Sequence, residues 1–258
     1  MKNLARKNGK KDLVVGNISA DLIMSNAGKG LENITSEDIT IPRLAIIQSN
    51  SPQRKKKDEK YIAGAEEGDI FNTVTGEIYK EPLTVIPCAY RKSYVEWIPR
   101  EKGGGFVQVY DMRPSDTTTD PATRKSSLKN GNQLVDTAEH YIIIRKDDDT
   151  YESAVLTMTS SNLTVSRKWN TLLKMKKINV KGQTIDPPSF MYEFTLSTVE
   201  ATNDQGTWQK YKIEEIGQLD KKHLFIASET LSKSVNTGKA KASEHATDVT
   251  NEDSETDF

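Results

Sequence analysis

The chain has 258 residues, of which 35% are apolar and 28% charged, and this length allows one large β-rich domain with extensions or two small domains. No apolar run approaches 18 residues and no apolar stretch follows the N-terminus, so the sequence predicts neither a membrane-spanning helix nor a secretion signal. The single cysteine, Cys88, excludes an internal disulfide and the cysteine clusters of zinc sites, and we expect a cytoplasmic protein.

The net charge of −1 conceals an uneven distribution along the chain. Residues 244–258 contain six acidic residues and no Lys or Arg. The preceding 243 residues therefore hold 36 basic and 31 acidic residues, a net charge of +5. A basic body joined to an acidic tail indicates a nucleic-acid ligand.

Three regions are expected from the composition. Residues 1–38 are predicted to be a flexible basic segment with a short helix near residues 18–26. Residues 39–232 are predicted to form the folded domain, and residues 233–258 a disordered acidic tail. The domain begins with an apolar segment in which Pro42 argues against a central strand, because proline cannot donate to a ladder.

The domain is predicted to be rich in short strands. We expect strands at residues 68–72, 83–99, 106–110, 140–145, 153–158, 190–199 and 208–216. Residues 160–177 have helical periodicity, and a second short helix is expected at residues 220–232. Residues 113–133 are predicted to be a long polar loop. This pattern predicts a mainly β protein, an OB-fold-like partly open β-barrel with one or two helices and long loops.

The most informative segment for function alternates aromatic and basic residues. It contains Tyr90, Arg91, Lys92, Tyr94, Trp97, Arg100, Lys102 and Phe106. Cations neutralise the phosphates of single-stranded DNA, and aromatic rings stack on its unpaired bases regardless of sequence. Because strand side chains alternate, Tyr90, Lys92 and Tyr94 share one face, whereas Arg91 and Trp97 share the other. One of the two faces is expected in the core, and simple packing of the rings is the alternative interpretation.

A second basic cluster lies on the predicted helix and contains Arg167, Lys168 and Lys174. Arg167 and Lys174 are a heptad apart and so lie on one face, and we expect these three cations to bind phosphates. Trp169 between them is expected to be buried where the helix caps the barrel.

The sequence contains no pattern typical of catalysis or metal binding. Its three histidines are scattered, and Gly103–Gly105 lacks the sequence of a phosphate-binding P-loop. Cys88 lies in an apolar strand and is expected to be a buried, unreactive thiol. We therefore expect neither an enzyme nor a bound cofactor or metal.

The chain ends in an acidic run closed by an aromatic residue. The residues concerned are Glu252, Asp253, Glu255, Asp257 and Phe258. A basic body with such a tail resembles the single-stranded DNA-binding proteins of bacteria and tailed phages, and Asp257-Phe258 is especially similar to the end of the T7-type phage proteins, which have an OB-fold. The resemblance implies that the tail binds replication proteins such as polymerase and primase-helicase.

The body, from about residue 40 to 217, also resembles a group of phage proteins that share four short motifs. These motifs are Pro42-Arg43-Leu44 with Gln48 and Ser51-Pro52, Gly68-Asp69 with Asn72 and Thr75-Gly76, Trp97 with Pro99-Arg100 and Gly103–Gly105, and Ser166–Asn170. We therefore expect a sequence-independent single-stranded DNA-binding protein of phage replication, recombination and repair, with homodimerisation left open. Two alternatives remain: a strand-annealing recombination mediator, and a host-takeover or virion protein whose tail mimics DNA.

Overall fold

A computed structural model describes residues 18–35, 38–148, 150–204, 206–240 and 242–243, and the chain divides into two compact units, Met1–Ile39 and Thr40–Phe258. In the first unit, α1 (Ala20–Ser25) confirms the short helix predicted there, and the Ser19 side chain caps it by accepting a hydrogen bond from the Leu22 N–H. The predicted tail contacts, Glu252, Asp253, Glu255, Asp257 and Phe258, lie outside the described residues.

The second unit is mainly β, as predicted. Its described strands are β1 (Arg43–Ile46), β2 (Ile70–Asn72), β3 (Ile78–Tyr79), β4 (Leu83–Ile98), β5 (Gly105–Tyr110), β6 (Thr118–Thr119), β7 (Ser126–Ser127), β8 (Gln133–Arg145), β9 (Tyr151–Met158), β10 (Ile178–Val180), β11 (Gln183–Ile185), β12 (Tyr192–Asn203) and β13 (Gly206–Gln218). Its described α-helices are α2 (Asn162–Met175) and α3 (Lys222–Asn236). Each predicted strand is present, and both helices predicted in this unit are confirmed.

Eleven strands of the described chain form one curled sheet in the order β13-β12-β4-β8-β9-β1-β2-β3, with β5 beside the end of β4 and with β6 and β7 beside the start of β8. Side chains join β13 to the region of β1. The Gln48 carboxamide accepts from the Gln209 N–H and donates to its carbonyl, at 2.9 and 2.8 Å. The Tyr211 hydroxyl donates to the Leu44 carbonyl at 3.2 Å. The result is a partly open barrel, as predicted.

The first strand of the sheet occupies an interior position. β1 pairs with β9 in parallel on one side and with β2 antiparallel on the other. The prediction that Pro42 would exclude a central strand was therefore wrong. Pro42 immediately precedes the strand, where proline is tolerated because no ladder donor is needed, and its carbonyl accepts a hydrogen bond from the Val155 N–H at 2.8 Å.

The interior of the barrel is apolar, and α2 packs against β8, β9 and β13. Trp169 on α2 is only 1% exposed, which confirms its predicted burial. Its ring stacks on His140 at a centroid distance of 4.6 Å and meets Phe194 edge-on at 5.5 Å. Because Trp169 lies among these core rings, it fixes α2 to the barrel.

The opposite face of β4 and β8 is covered by α3. Cys88 and Tyr141 from these strands pack with Leu224 and Val235 of α3. Burial raises the pKa of the Cys88 thiol to about 12, so the thiol is protonated and unreactive at neutral pH, as predicted. The helix ends at Asn236, past the boundary predicted at residue 232, because its apolar face continues to Val235.

The segment after α3 also belongs to the folded body. The Ser243 N–H donates to the Ile41 carbonyl at 2.8 Å, and the Ser243 carbonyl accepts from Arg43 Nε at 2.8 Å. Arg43 in turn forms a buried ion pair with Glu139, at 2.7 Å. Composition predicted that the tail begins at residue 233. Long-range contacts, which composition does not reveal, nevertheless hold Ser243 on the barrel. Among the described residues, no helix is long and apolar enough to cross a membrane.

The hairpin of β4 and β5 is fastened by a buried carboxylate. Glu96 is 1% exposed and accepts hydrogen bonds from Tyr110 and Gln108 at 2.6 and 3.1 Å, and from Asn130 and Asn132 at 2.8 and 2.6 Å. Desolvation by burial raises its pKa, but the four hydrogen bonds outweigh that effect and lower the pKa to about 2.

The substitution Glu96→Gln is therefore expected to lower the free energy of unfolding by about 1–3 kcal/mol at neutral pH, because the charged acceptor of four hydrogen bonds is lost. The pKa of Glu96 in the folded protein lies below the ordinary value of 4.5. The contribution of the Glu96 carboxylate to the free energy of unfolding is therefore complete above pH 4.5 and is lost as the pH falls towards about 2. Urea denaturation of both proteins at about pH 7 and about pH 3 measures this. If the difference in free energy of unfolding between the unchanged protein and the Glu96→Gln protein did not shrink at the lower pH, the stabilising role of the Glu96 carboxylate would be contradicted.

Candidate nucleic-acid interface

The face of β4 and β8 turned away from α3 carries the first part of the candidate site. Tyr90 lies opposite His140, Lys92 opposite Ala138, and Tyr94 opposite Asp136. Residues paired across neighbouring strands project from the same face, and Ala138 packs in the same core as Trp169. Tyr90, Lys92 and Tyr94 therefore share the side of the sheet on which α2 lies.

The two tyrosines of this face have different surroundings. Tyr90 is 44% exposed, and its ring centroid lies 5.0 Å from that of His140. Tyr94 is half-buried and lies between two cations, with Lys92 Nζ at 5.1 Å and Arg113 Cζ at 5.8 Å from its ring centroid. Lys92 and Arg113 also share the Asp136 carboxylate, at 3.4 and 3.2 Å. One carboxylate thus serves two cations here.

A basic cleft of about 350 Å³ opens between the loop after β5, the start of β8 and the start of α2. Its lining contains four cations and one acid, namely Arg113, Arg124, Lys125, Arg167 and Asp136. Within the described part of the chain, no carboxylate lies within 4.0 Å of Arg124, Lys125 or Arg167. Positive charge that is concentrated in a concave surface attracts anions.

Backbone strain also occurs at this cleft. Arg124 and Ser160 both line it and have φ angles of +55° and +46°, a conformation that non-glycine residues rarely adopt. A hydrogen bond from the Arg124 N–H to the Asp120 carbonyl, at 2.7 Å, holds the first of these turns. Strained residues of this kind are concentrated at binding sites, where the surrounding structure maintains them.

A second cavity, of about 260 Å³, lies beside Tyr90. Its lining includes Tyr90 and His140 from the sheet and Asn170, Leu173 and Lys174 from α2. Burial lowers the pKa of His140 to about 3, so the ring is neutral at neutral pH, and its Nε2 lies 2.8 Å from the Ser166 hydroxyl. This cavity is therefore less charged and more apolar than the basic cleft.

One face of α2 connects the two cavities. Leu163, Arg167, Asn170 and Lys174 are spaced by four, three and four residues and so lie on one side of the helix. The first two line the basic cleft and the last two line the second cavity. We call this surface the α2–β4 groove and define it by Tyr90, Lys92, Tyr94, Arg113, Arg124, Lys125, Arg167, Asn170 and Lys174.

Two residues predicted to bind DNA lie on the other face of β4. Trp97 is 1% exposed, so its ring is unavailable for stacking on a base, and its partner in the structure is Phe106, edge-on at 5.7 Å. Arg91 donates to the Val235 carbonyl at 2.6 Å, at the C-terminal end of α3, where a cation is favourable. Arg91 therefore contacts α3 and Trp97 is buried, so neither side chain faces the groove.

The remaining predicted contacts are exposed but lie elsewhere. Arg100, Lys102 and Phe106 are at the turn between β4 and β5, and ten residues of extended strand separate Tyr90 from Arg100, roughly 30 Å. Lys168 is exposed on α2, about 100° around the helix from Arg167. Of the predicted DNA contacts, the structure therefore places five in the α2–β4 groove, namely Tyr90, Lys92, Tyr94, Arg167 and Lys174. Arg100, Lys102, Phe106 and Lys168 lie outside it.

The sequence analysis missed four residues of the groove, Arg113, Arg124, Lys125 and Asn170. Three of them lie in the long loop after β5, whose fold depends on contacts with distant strands. For example, Arg113 donates to the Ser126 hydroxyl at 2.7 Å. The available signal was the presence of four cations, these three and Lys129, in a segment otherwise rich in Ser and Thr.

Comparison with known proteins gives one family. Residues 12–241 match the family model of the Pam3 phage gp34-like protein, and this range includes the whole α2–β4 groove. No curated protein and no solved structure matches the chain. Among the described residues, no group of three or more His, Cys, Asp or Glu side chains is arranged to hold a metal ion.

Proposed function

The chain belongs to the Pam3 phage gp34-like family, and we propose that it binds single-stranded DNA in the α2–β4 groove. The observation that carries this proposal is that one face of α2 connects the cavity lined by the exposed Tyr90 ring with a cleft whose cations, Arg167 among them, have no acidic partner in the described chain. Cations bind phosphates with release of counterions, and aromatic rings stack on bases. The groove offers both groups on one side of the barrel.

The exposed ring favours a single strand over a duplex. In a duplex the faces of the bases are stacked on one another, so a tyrosine ring has no face to contact. Arg113, Arg124, Lys125 and Arg167 would bind the backbone, and Tyr90, 44% exposed, would stack on an unpaired base. Neither contact selects a sequence, so the basic cleft and Tyr90 together give general affinity for unpaired DNA.

The biological role we propose is in phage DNA replication, recombination and repair, inside the host cell. The sequence resemblance supports this role, and within it the acidic tail, with Asp257 and Phe258 at its end, would recruit replication proteins. A body of net charge +5 and a tail with six acidic residues also attract one another at low ionic strength. The proposal includes no catalytic step.

The substitution Tyr90→Ala tests the proposal. It is expected to weaken binding of a fluorescent thymidine oligomer by about 1–3 kcal/mol, which is about fivefold to a hundredfold, because one stacking contact is lost. Tyr90→Phe keeps the ring and is expected to bind within about twofold of the parent protein. Fluorescence anisotropy titrations measure both affinities.

The matched control is Tyr151→Ala, which removes an equally exposed tyrosine from β9, outside the groove. Its affinity is expected to equal that of the unchanged protein. Equal affinities for the Tyr90→Ala and Tyr151→Ala proteins would remove Tyr90 from the interface. A failure of the unchanged protein to bind any single-stranded oligomer would reject the proposed function itself.

A further inference from the structure

The second cavity has the composition of a small-ligand pocket and not of a phosphate site. Pro87, Ala89, Leu173 and Pro187 contribute apolar lining, and Tyr90 adds an aromatic ring. Pockets for planar organic ligands are mostly apolar with a few polar groups that fix orientation. The cavity volume of about 260 Å³ is large enough for a single base.

One polar group in this cavity lacks a structural role. The Asn170 side chain is partly buried and lines the cavity, and within the described chain its carboxamide has no hydrogen-bond partner. A carboxamide offers two N–H donors and one carbonyl acceptor. The carboxamide is therefore available to a ligand that presents an adjacent donor and acceptor.

We propose that this cavity binds one unpaired nucleobase of the DNA strand, stacked on Tyr90 and hydrogen-bonded through its edge to Asn170. The inference rests on the proposed function and deepens it, because it adds a base preference to a groove that otherwise contacts only backbone and base faces. Asn170 lies between Arg167 and Lys174 on one face of α2. A strand with a phosphate bound by Arg167 could continue along this face of α2 to the cavity.

Adenine matches the cavity best. In the major groove of a duplex, an asparagine that forms a bidentate pair with N6 and N7 of adenine discriminates by about 1–3 kcal/mol against the wrong base, and an unpaired adenine exposes the same two atoms. A purine also covers more of the Tyr90 ring than a pyrimidine does, so stacking adds to the preference in the same direction. The two ionic groups at the cavity pair with each other, since Lys174 Nζ lies 3.6 Å from Asp186 Oδ2, and His140 Nε2 lies within hydrogen-bond distance of the Ser166 hydroxyl.

The test compares a thymidine oligomer with the same oligomer carrying one adenosine at its centre. The unchanged protein is expected to bind the adenosine-containing oligomer about fivefold or more tightly. Asn170→Ala is expected to lose most of this preference, because only the contribution of stacking on Tyr90 remains. Thr171→Ala, an exposed neighbour on α2, is expected to keep the full preference.

Circular dichroism of the Asn170→Ala protein establishes that it is folded before the titrations are compared. Equal binding of the two oligomers by the unchanged protein, or an adenosine preference of undiminished size in the Asn170→Ala protein, would overturn the base pocket. Salt-sensitive binding of the thymidine oligomer would still support the groove in that case. Failure to bind either oligomer would overturn both the groove and the pocket.

Discussion

Replacing Arg124, Lys125 and Arg167 together with alanine is expected to lower the affinity for a thymidine oligomer about a hundredfold or more. These three cations line the basic cleft and have no carboxylate partner among the described residues, so their charge is fully available to phosphates. Hydrogen bonds to charged groups contribute about 1.5–3 kcal/mol in favourable cases, and three weaker ones suffice for this loss. Titration by fluorescence anisotropy at moderate salt measures the affinity.

The dependence of affinity on salt identifies the lost contacts as phosphate contacts. For single strands, the slope of log K against log salt is about −0.7 for each phosphate that is neutralised. Removing three cations that bind phosphate should therefore make the slope shallower by about 2. A large loss of affinity with an unchanged slope would mean that the cleft acts through its shape and not through its charge.

The matched control removes the same charge from another surface. Lys55, Lys56 and Lys57 are exposed in the charged loop after β1, and they are not part of the α2–β4 groove. The triple alanine variant at these positions is expected to bind within about threefold of the unchanged protein, because only general electrostatic attraction is reduced. If both triple variants lost affinity equally, the cleft would have no special role.

The sequence was informative about the fold because the strands alternate clearly and the helices have long periodic faces. It placed Tyr90, Lys92 and Tyr94 on one side of β4 and set Arg167 and Lys174 on one face of α2. Both placements depend only on local periodicity, with two residues per repeat in a strand and 3.6 in a helix. These five residues are the part of the groove that the sequence could predict.

The remaining features depend on contacts between distant segments. Alternation shows that Arg91 and Tyr90 lie on opposite faces of β4, but which face is covered there depends on α3, more than 120 residues further along the chain. Arg124 and Lys125 reach the groove through a loop whose path is set by pairing of β7 with β8. Composition and periodicity contain no information about either contact.

Trp169→Ala is expected to lower the free energy of unfolding by about 3–5 kcal/mol, the largest effect on stability that we predict for a single substitution. The side chain is 1% exposed and lies against His140 and Phe194, so its removal leaves a large cavity at the contact of α2 with the barrel. Urea denaturation followed by circular dichroism measures this difference. The neighbouring exposed residue provides the control, and Lys168→Ala is expected to change stability by less than about 0.5 kcal/mol.

Trp169 also connects stability with binding, because α2 carries Arg167, Asn170 and Lys174. Within the described chain the buried indole N–H of Trp169 has no hydrogen-bond partner, so Trp169→Phe removes volume but no hydrogen bond and is expected to cost only about 1–2 kcal/mol. The Phe variant should remain folded and keep most of its affinity for single-stranded DNA, whereas the Ala variant should lose affinity as α2 shifts. The Ala variant could instead be destabilised as expected and, while still folded, keep the full affinity for single-stranded DNA. The position of α2 would then not matter for binding, and the groove would have to lie elsewhere on the barrel.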